Sequence, residues 1–315
     1  MTQATMSRVE AFLTEVDRYS AHNYHPLPVV LEGGEGSWVW DVDGNRYLDM
    51  LSAYSALNQG HRHPSIIGAA LSQMQKLTLT SRAFHNDQMG PFLNALCEVT
   101  GFEKALPMNT GAEAVETAIK MVRKWGYKIK GVPEDRAEII VCENNFHGRT
   151  TTIVGFSSED QYKDGFGPFT PGFVEIPYGN SEVLEAAINQ NTVGFLVEPL
   201  QGEGGVVVPP PGFLSTAREL CTANRVAFMA DEIQTGLGRT GRMFCCDWES
   251  VRPDVQIVGK ALGGGVYPVS ATIADAEFMD VFDPGDHGST FGGNPLGAAV
   301  GLASLNVIVD EKLPE

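Results

Sequence analysis

Five short apolar runs rich in β-branched residues punctuate the chain: Glu138–Cys142, Val193–Val197, Val226–Ala230, Val255–Val258 and Val269–Ile273. Their length and unbroken hydrophobicity predict strands buried on both faces, as in a parallel sheet. Between them the apolar period changes. Val115, Ala118, Ile119 and Val122 recur at three and four, as do Val183, Leu184, Ala187 and Ile188. Leu214–Ala223 has the same pattern behind Pro209–Pro211 and Gly212. Those spacings predict amphipathic helices. Strand alternating with helix defines an α/β chain with an open, mostly parallel central sheet and helices on both faces.

The ends read differently. Trp38–Asp41, Asp43-Gly44 and Arg46–Leu48 predict a hairpin closed by a type I′ turn, with Gly33-Gly34-Glu35-Gly36 as a turn before it and Tyr24–Pro28 as extended loop. We therefore expect residues 1–57 to form an arm and part of a small domain, and 58–315 a large domain. Gly297–Val309 has the apolar content of a long helix close to the last residue, Glu315.

Composition narrows the function. Apolar residues make up 43% and charged residues 19% of 315, an ordinary globular balance. No apolar run approaches the ~20 residues that cross a bilayer, and Met1–Glu15 lacks the pattern of a signal or transit peptide. Lysine and arginine total 22 against 39 acids, a net charge of −17. Such a field repels polyanions, so nucleic acid is not expected as a partner. Lys120, Lys124 and Lys128 fall at i, i+4 spacing and suit one solvated helix face. Cys97, Cys142, Cys221, Cys245 and Cys246 are odd in number and hold no C-x-x-C pair, which fits a reducing cytoplasm.

In open α/β sheets ligands lie beyond the carboxyl ends of the strands. There the chain places Asn144–Arg149, Glu198–Glu203, Asp231–Gln234 and Gly259-Lys260. Of nine lysines, Lys260 alone follows a buried strand and precedes a glycine cluster, Gly263–Gly265. Lost hydration there lowers an amine's pKa and makes it nucleophilic enough for a Schiff base, although a lysine snorkelling from a strand end is the plain alternative. Asp231, at a buried strand end, needs a cationic partner or strong donors, a pyridinium nitrogen being such a partner, or else serves as a helix cap. Gln234 is placed to donate to a phenolic oxygen. Thr110-Gly111-Ala112-Glu113 is a capping box whose small residues leave N–H groups free for a phosphate. Phosphate site, pyridinium partner and Schiff-base lysine together describe pyridoxal 5′-phosphate.

Two decoys fail on context. Gly236–Gly241 matches G-x-G-x-x-G, but Asp231–Thr235 separates it from the strand and no clear helical face comes after it, so a nicotinamide site is not supported. His61 and His63 have no Cys, Asp or Glu nearby in sequence to complete a metal set, and are read as structural.

Asp231–Gly236, Gly241, and Lys260 before three glycines resemble the signature of the class III, or ω-amino acid, PLP-dependent aminotransferases. So do Asn109–Glu116, Phe146–Arg149, Glu198-Pro199 and Gly288–Pro295. Ala21–Pro28, Tyr54–His61 and Gln201–Gly205 carry a closer likeness to members that take the δ-amino group of ornithine. The resemblance implies a fold-type I PLP transferase and a homodimer with shared active sites, acting on an amino acid and a 2-oxo acid. Lys260 is then the imine-forming and proton-carrying lysine, Asp231 the partner of the ring nitrogen, Gln234 of O3′, and Phe146 the ring stacked on the cofactor. Thr110, Gly111, Ala112, Ser289 and Thr290 fall to the phosphate, Thr290 to that of the partner subunit. Tyr24 and Arg149 would hold the α-amino and α-carboxylate end of the substrate, Tyr54 would line the pocket, and Glu198 and Glu203 would favour a cationic substrate. A salt bridge to Glu143 is the plain alternative for Arg149.

The resemblance also implies a C-terminal small domain beyond the position of Glu315. Its arginine would bind the carboxylate of glutamate or 2-oxoglutarate and be masked by Glu203. We expect that domain to be absent and turnover by this polypeptide alone to be poor. The remaining alternatives are an acetylornithine or 4-aminobutyrate aminotransferase and a non-catalytic PLP-binding subunit.

Overall fold

The computed structural model describes residues 7–315, so the first six residues of the N-terminal reading lie outside it. Helix α1 (Arg8–Tyr19) starts at a Ser7–Glu10 capping box and buries none of its residues. A three-stranded antiparallel sheet comes next, β1 (Leu31–Glu35), β2 (Trp38–Asp41) and β3 (Arg46–Leu48), in the order β1-β2-β3. The chain then winds left-handed through α2 (Ser52–Ser55), with φ of 52°, 47°, 58° and 71° in turn. Two expectations are corrected here. Gly33-Gly34-Glu35 is strand, paired with Trp40, Val39 and Trp38, because ladder hydrogen bonds need no side chain. The hairpin turn is not type I′, which requires positive φ at both central residues. Gly44 N–H donates to Asp41 O across Val42 and Asp43, and only Gly44 is left-handed. The Asp41 carboxylate fixes this turn by accepting from the N–H groups of Asp43 and Asn45.

The large sheet has seven strands: β4 (Lys104–Met108), β5 (Glu138–Cys142), β6 (Phe173–Ile176), β7 (Thr192–Val197), β8 (Ala227–Asp231), β9 (Val255–Val258) and β10 (Ser270–Ala274). Their order is β4-β10-β9-β8-β7-β5-β6. β6, β5, β7, β8 and β9 pair in parallel, whereas β10 is antiparallel to both β9 and β4. The Val269–Ile273 run is therefore a buried antiparallel strand, because burial on both faces erases alternation whichever way a strand runs. The sequence reading missed β4 and β6, the two edges. Pro107 interrupts the apolar signal of β4 and is tolerated there because an edge strand has one side free of ladder bonds.

Helices α3 (Pro64–Met74) and α4 (Met89–Thr100) precede the large sheet. Within it come α5 (Gly111–Trp125), the short α6 (Thr151–Gly155) and α7 (Asp160–Lys163), α8 (Ser181–Ala187), α9 (Phe213–Ala223) and the short α10 (Ala276–Met279). The chain closes with α11 (Pro295–Asp310). Val115, Ala118, Ile119 and Val122 of α5 pack on one face of the sheet, against Ile139, Val141, Met229 and Ile257. Leu214, Ala217 and Cys221 of α9 cover the other, against Ile140, Phe195 and Phe228. Cys245 and Cys246 are buried, and all five cysteines are free thiols. No helix among the described residues is long and apolar enough to cross a membrane.

The glycine turn after β9 packs against the segment leading out of α2. A Cβ on Gly265, at φ +69°, would stand 2.1 Å from Leu57 Cδ2. Gly265→Ala is therefore expected to cost about 2–4 kcal/mol, from left-handed strain plus overpacking. Urea denaturation of both proteins would read this as a lowered midpoint at unchanged slope.

Candidate active site

Strands β4, β5, β7, β8 and β9 share a direction, so their carboxyl ends meet at one edge of the sheet. A cavity of about 200 Å³ opens there. The start of α5 contributes Gly111 and Ala112, and the loop after β5 contributes Phe146 and His147. Glu198 enters from β7, Asp231 and Gln234 from β8, and Lys260 from β9. Five chain segments distant in sequence thus supply one wall each.

Lys260 opens a 3₁₀ turn with φ +43°, a left-handed conformation that an ordinary residue adopts only when its surroundings hold it. Those surroundings are visible one residue on. Ala261 O accepts from Gln59 Nε2 at 2.9 Å and from Ser304 Oγ at 2.7 Å, which ties the turn to α11. Burial lowers the Lys260 pKa, against the opposing charges of Asp231, Glu203 and Glu198.

The Asp231 carboxylate is 4% exposed. Its Oδ1 accepts from Ile233 N–H at 3.0 Å, and its Oδ2 lies 2.7 Å from His147 Nδ1. Burial pulls the His147 pKa down, but the hydrogen bond and charge of Asp231, with Glu198 beyond, outweigh it and leave the imidazole raised. His147 Nε2 is buried without a protein partner among the described residues. The sequence reading gives His147 no role and misses this contact, which no local spacing signals. Glu232, the next residue after Asp231, is no solvated acid. It is 1% exposed and accepts from the N–H groups of Cys245 and Cys246.

Glu198 Oε2 accepts from Phe146 N–H at 3.0 Å. Burial, reinforced by Asp231 and opposed by His147 and two backbone N–H donors, pushes Glu198 up to about 7. Gln234 donates to Glu203 Oε1 at 3.2 Å. The Thr110–Glu113 capping box is present, while the N–H groups of Gly111 and Ala112 find no protein acceptor among the described residues. Arg149 makes no ion pair with Glu143; its guanidinium lies over Tyr162, 3.7 Å from the ring centre, and 5.4 Å from that of Phe146.

Other anticipated residues stand outside the cavity. Tyr24 is 76% exposed and borders a separate groove between α1 and Gln161. Tyr54 is half exposed on α2. Ser289 Oγ accepts from Asn109 Nδ2 at 3.1 Å, and Thr290 is exposed. His61 and His63 each meet a carboxylate, Asp49 at 2.8 Å and Glu311 at 3.0 Å.

An amine of lowered pKa, a buried carboxylate, an aromatic ring and unpaired helix N–H groups around one cavity suit pyridoxal 5′-phosphate, and the sheet is that of the fold-type I PLP transferases. The sequence pattern of the class-III aminotransferases matches residues 19–315, and the chain belongs to that family. It is 61% identical over 308 residues to the ornithine aminotransferase of Brevibacillus brevis, covering 98% of this chain and 77% of the relative. Among solved structures, the Toxoplasma gondii ornithine aminotransferase, described with partial occupancy of PLP at its active site, superposes at TM-score 0.97. It is 48% identical, over 98% of this chain and 73% of that one. The acetylornithine aminotransferase of Elizabethkingia anophelis superposes at 0.89 with 56% identity, over 98% and 76%.

Glu198 yields a pH test. Between its ordinary value of 4.5 and about 7, the unfolded chain ionises this carboxyl while the folded protein keeps it protonated. Folding stability attributable to Glu198 therefore falls as pH rises through that window. Cofactor-free protein should lose about 3 kcal/mol from this group by neutral pH, and Glu198→Gln should abolish that slope. Urea midpoints across the window measure it.

Proposed function

We propose that this protein transfers the δ-amino group of L-ornithine to 2-oxoglutarate, giving L-glutamate 5-semialdehyde and L-glutamate. The observation that carries the reading is Lys260 and Asp231 on one small cavity, in a chain 61% identical to an ornithine aminotransferase. Bound there, PLP supplies an electron sink for the substrate carbon bearing the amine. Lys260 Nζ holds the cofactor covalently and moves the proton at that carbon. A lowered pKa favours both tasks, since the neutral amine is the nucleophile and the base.

Asp231 pairs with the ring nitrogen, and His147, donating from Nδ1, keeps the carboxylate aimed. Gln234 faces the phenolic oxygen and Phe146 covers the ring. Thr110 frames the phosphate, with Gly111 and Ala112 N–H donating to it at the positive end of α5. Ser289 supports that end through Asn109. Thr290, exposed here, serves the phosphate of a second copy, so the working unit is a homodimer with shared sites. Tyr24 and Arg149 hold the α-amino and α-carboxylate end of ornithine, Arg149 by a bidentate pair. Tyr54 lines the pocket, and Glu203 favours the cationic chain, joined by Glu198 once its carboxyl ionises at about 7 and above. Residues 1–57 act as an arm and part of a small domain against the large domain of 58–315. Free thiols suit a cytoplasmic enzyme, and cyclisation of the semialdehyde to pyrroline-5-carboxylate joins arginine to proline metabolism.

A second reading, transfer from acetylornithine, is favoured by the 56% identity to the Elizabethkingia enzyme. Tyr24→Phe separates the two. Loss of a hydrogen bond to a charged group, about 1.5–3 kcal/mol, should lower kcat/KM for ornithine roughly 10–100-fold. Indifference would favour the acetylated substrate. The primary test is an ultraviolet–visible spectrum of cofactor-loaded protein before and after ornithine, with borohydride trapping. The absorbance should shift with ornithine, the trapped cofactor should map to Lys260, and Lys260→Ala should show neither. A trapped adduct elsewhere would overturn the proposal.

A further inference from the structure

The loop between α10 and α11 is tied to the first turns of α5 by a chain of hydrogen bonds centred on His287. Lys120 Nζ lies 3.0 Å from His287 Nδ1, and Thr117 Oγ1 lies 2.8 Å from His287 Nε2. An ammonium only donates, so Nδ1 must accept and the proton sits on Nε2. Nε2–H then donates to Thr117 Oγ1, whose own proton goes to Glu113 O at 2.7 Å. Every group is satisfied when His287 is neutral. The ring also stacks on Phe282, with centroids 5.5 Å apart and planes at 19°. Two residues on, Asn109 Nδ2 bridges Ser289 Oγ and Glu113 Oε1. Thr290 and Phe291, both exposed, come directly after this second tie.

We propose that His287 is a positioning residue: in its neutral form it pins the 286–291 segment to α5 and so sets where the Ser289 and Thr290 hydroxyls stand. A protonated ring would turn an Nδ1–H donor toward the Lys120 ammonium, breaking that link. The charged groups facing the ring are Lys120 and Glu113 from α5, with Lys124, Asp283 and Asp286 forming the ion-paired flank. Burial first, then Lys120, lowers the His287 pKa against the pull of Glu113, so the neutral form is kept. The tie is therefore complete above the ordinary imidazole range and lost as pH falls below the depressed value. The consequence for cofactor retention rests on the shared-site reading of Thr290.

The test uses cofactor-loaded protein, with hydrogen exchange at amides 286–292, corrected for intrinsic rates, and the rate of PLP release, both monitored from about pH 8 to about pH 5. Wild type should show an acid step in both. His287→Phe keeps the stacking and removes both hydrogen bonds. It should raise exchange and release about tenfold at neutral pH and abolish the step. His287→Gln, which keeps a donor for Thr117, should give a smaller rise and no step. If His287→Phe does not fold, His287→Gln and the wild-type step decide the matter. Wild-type exchange with an unchanged acid step in the variants would overturn the proposal. Thr290→Val should release PLP faster with the segment still protected. Release at the wild-type rate would sink the shared site while leaving the His287 tie standing.

Discussion

The buried carboxylate of Asp231 is the constraint around which the site is arranged. A charge at 4% exposure persists only with donors at hand, and the protein supplies two, the His147 ring and Ile233 N–H. The first is a consequence of topology, since β8 delivers Asp231 beside the loop that leaves β5; the second is local, two residues further along the chain. The same carboxylate opposes the loss of charge that burial imposes on Lys260, and it adds to the burial that suppresses ionisation of Glu198. One buried charge thus biases an amine, an imidazole and a second carboxyl within the same cavity wall.

The scaffold that holds this charge is stiff for identifiable reasons. Asp231 ends a strand buried along its whole length. Glu232 locks the next segment by accepting two backbone N–H groups from the Cys245–Cys246 turn. Lys260 stands in a left-handed conformation that would relax if Gln59 and Ser304 did not hold the carbonyl of Ala261. Strain at the reactive amine is therefore balanced by contacts from α11 and from the segment after α2, which explains why residues far from the cavity matter to it.

The peripheral groups form a second circle. Arg149 lies over the Tyr162 ring, with the Phe146 ring also within reach. Tyr24 and Thr290 stand exposed rather than inside the cavity. Their assigned roles call for a substrate reaching outward or for a second copy of the chain, whereas Gly111, Phe146, Asp231, Gln234 and Lys260 line the cavity from within one chain.

The strand–helix alternation, the buried runs, the capping box of α5 and the placing of Lys260 and Asp231 at one edge of the sheet were legible in sequence because each depends on local periodicity or on the residues just past a strand end. The reversed direction of β10, the edge strands β4 and β6 and the true turn at Gly44 were not. Strand direction is decided by which neighbour offers a ladder, and edge strands carry a weaker apolar signal. The contact between His147 and Asp231, the burial of Glu232 and the hold on Lys260 by Gln59 and Ser304 join positions up to 245 residues apart. Only packing of the whole chain could bring those groups within hydrogen-bond reach.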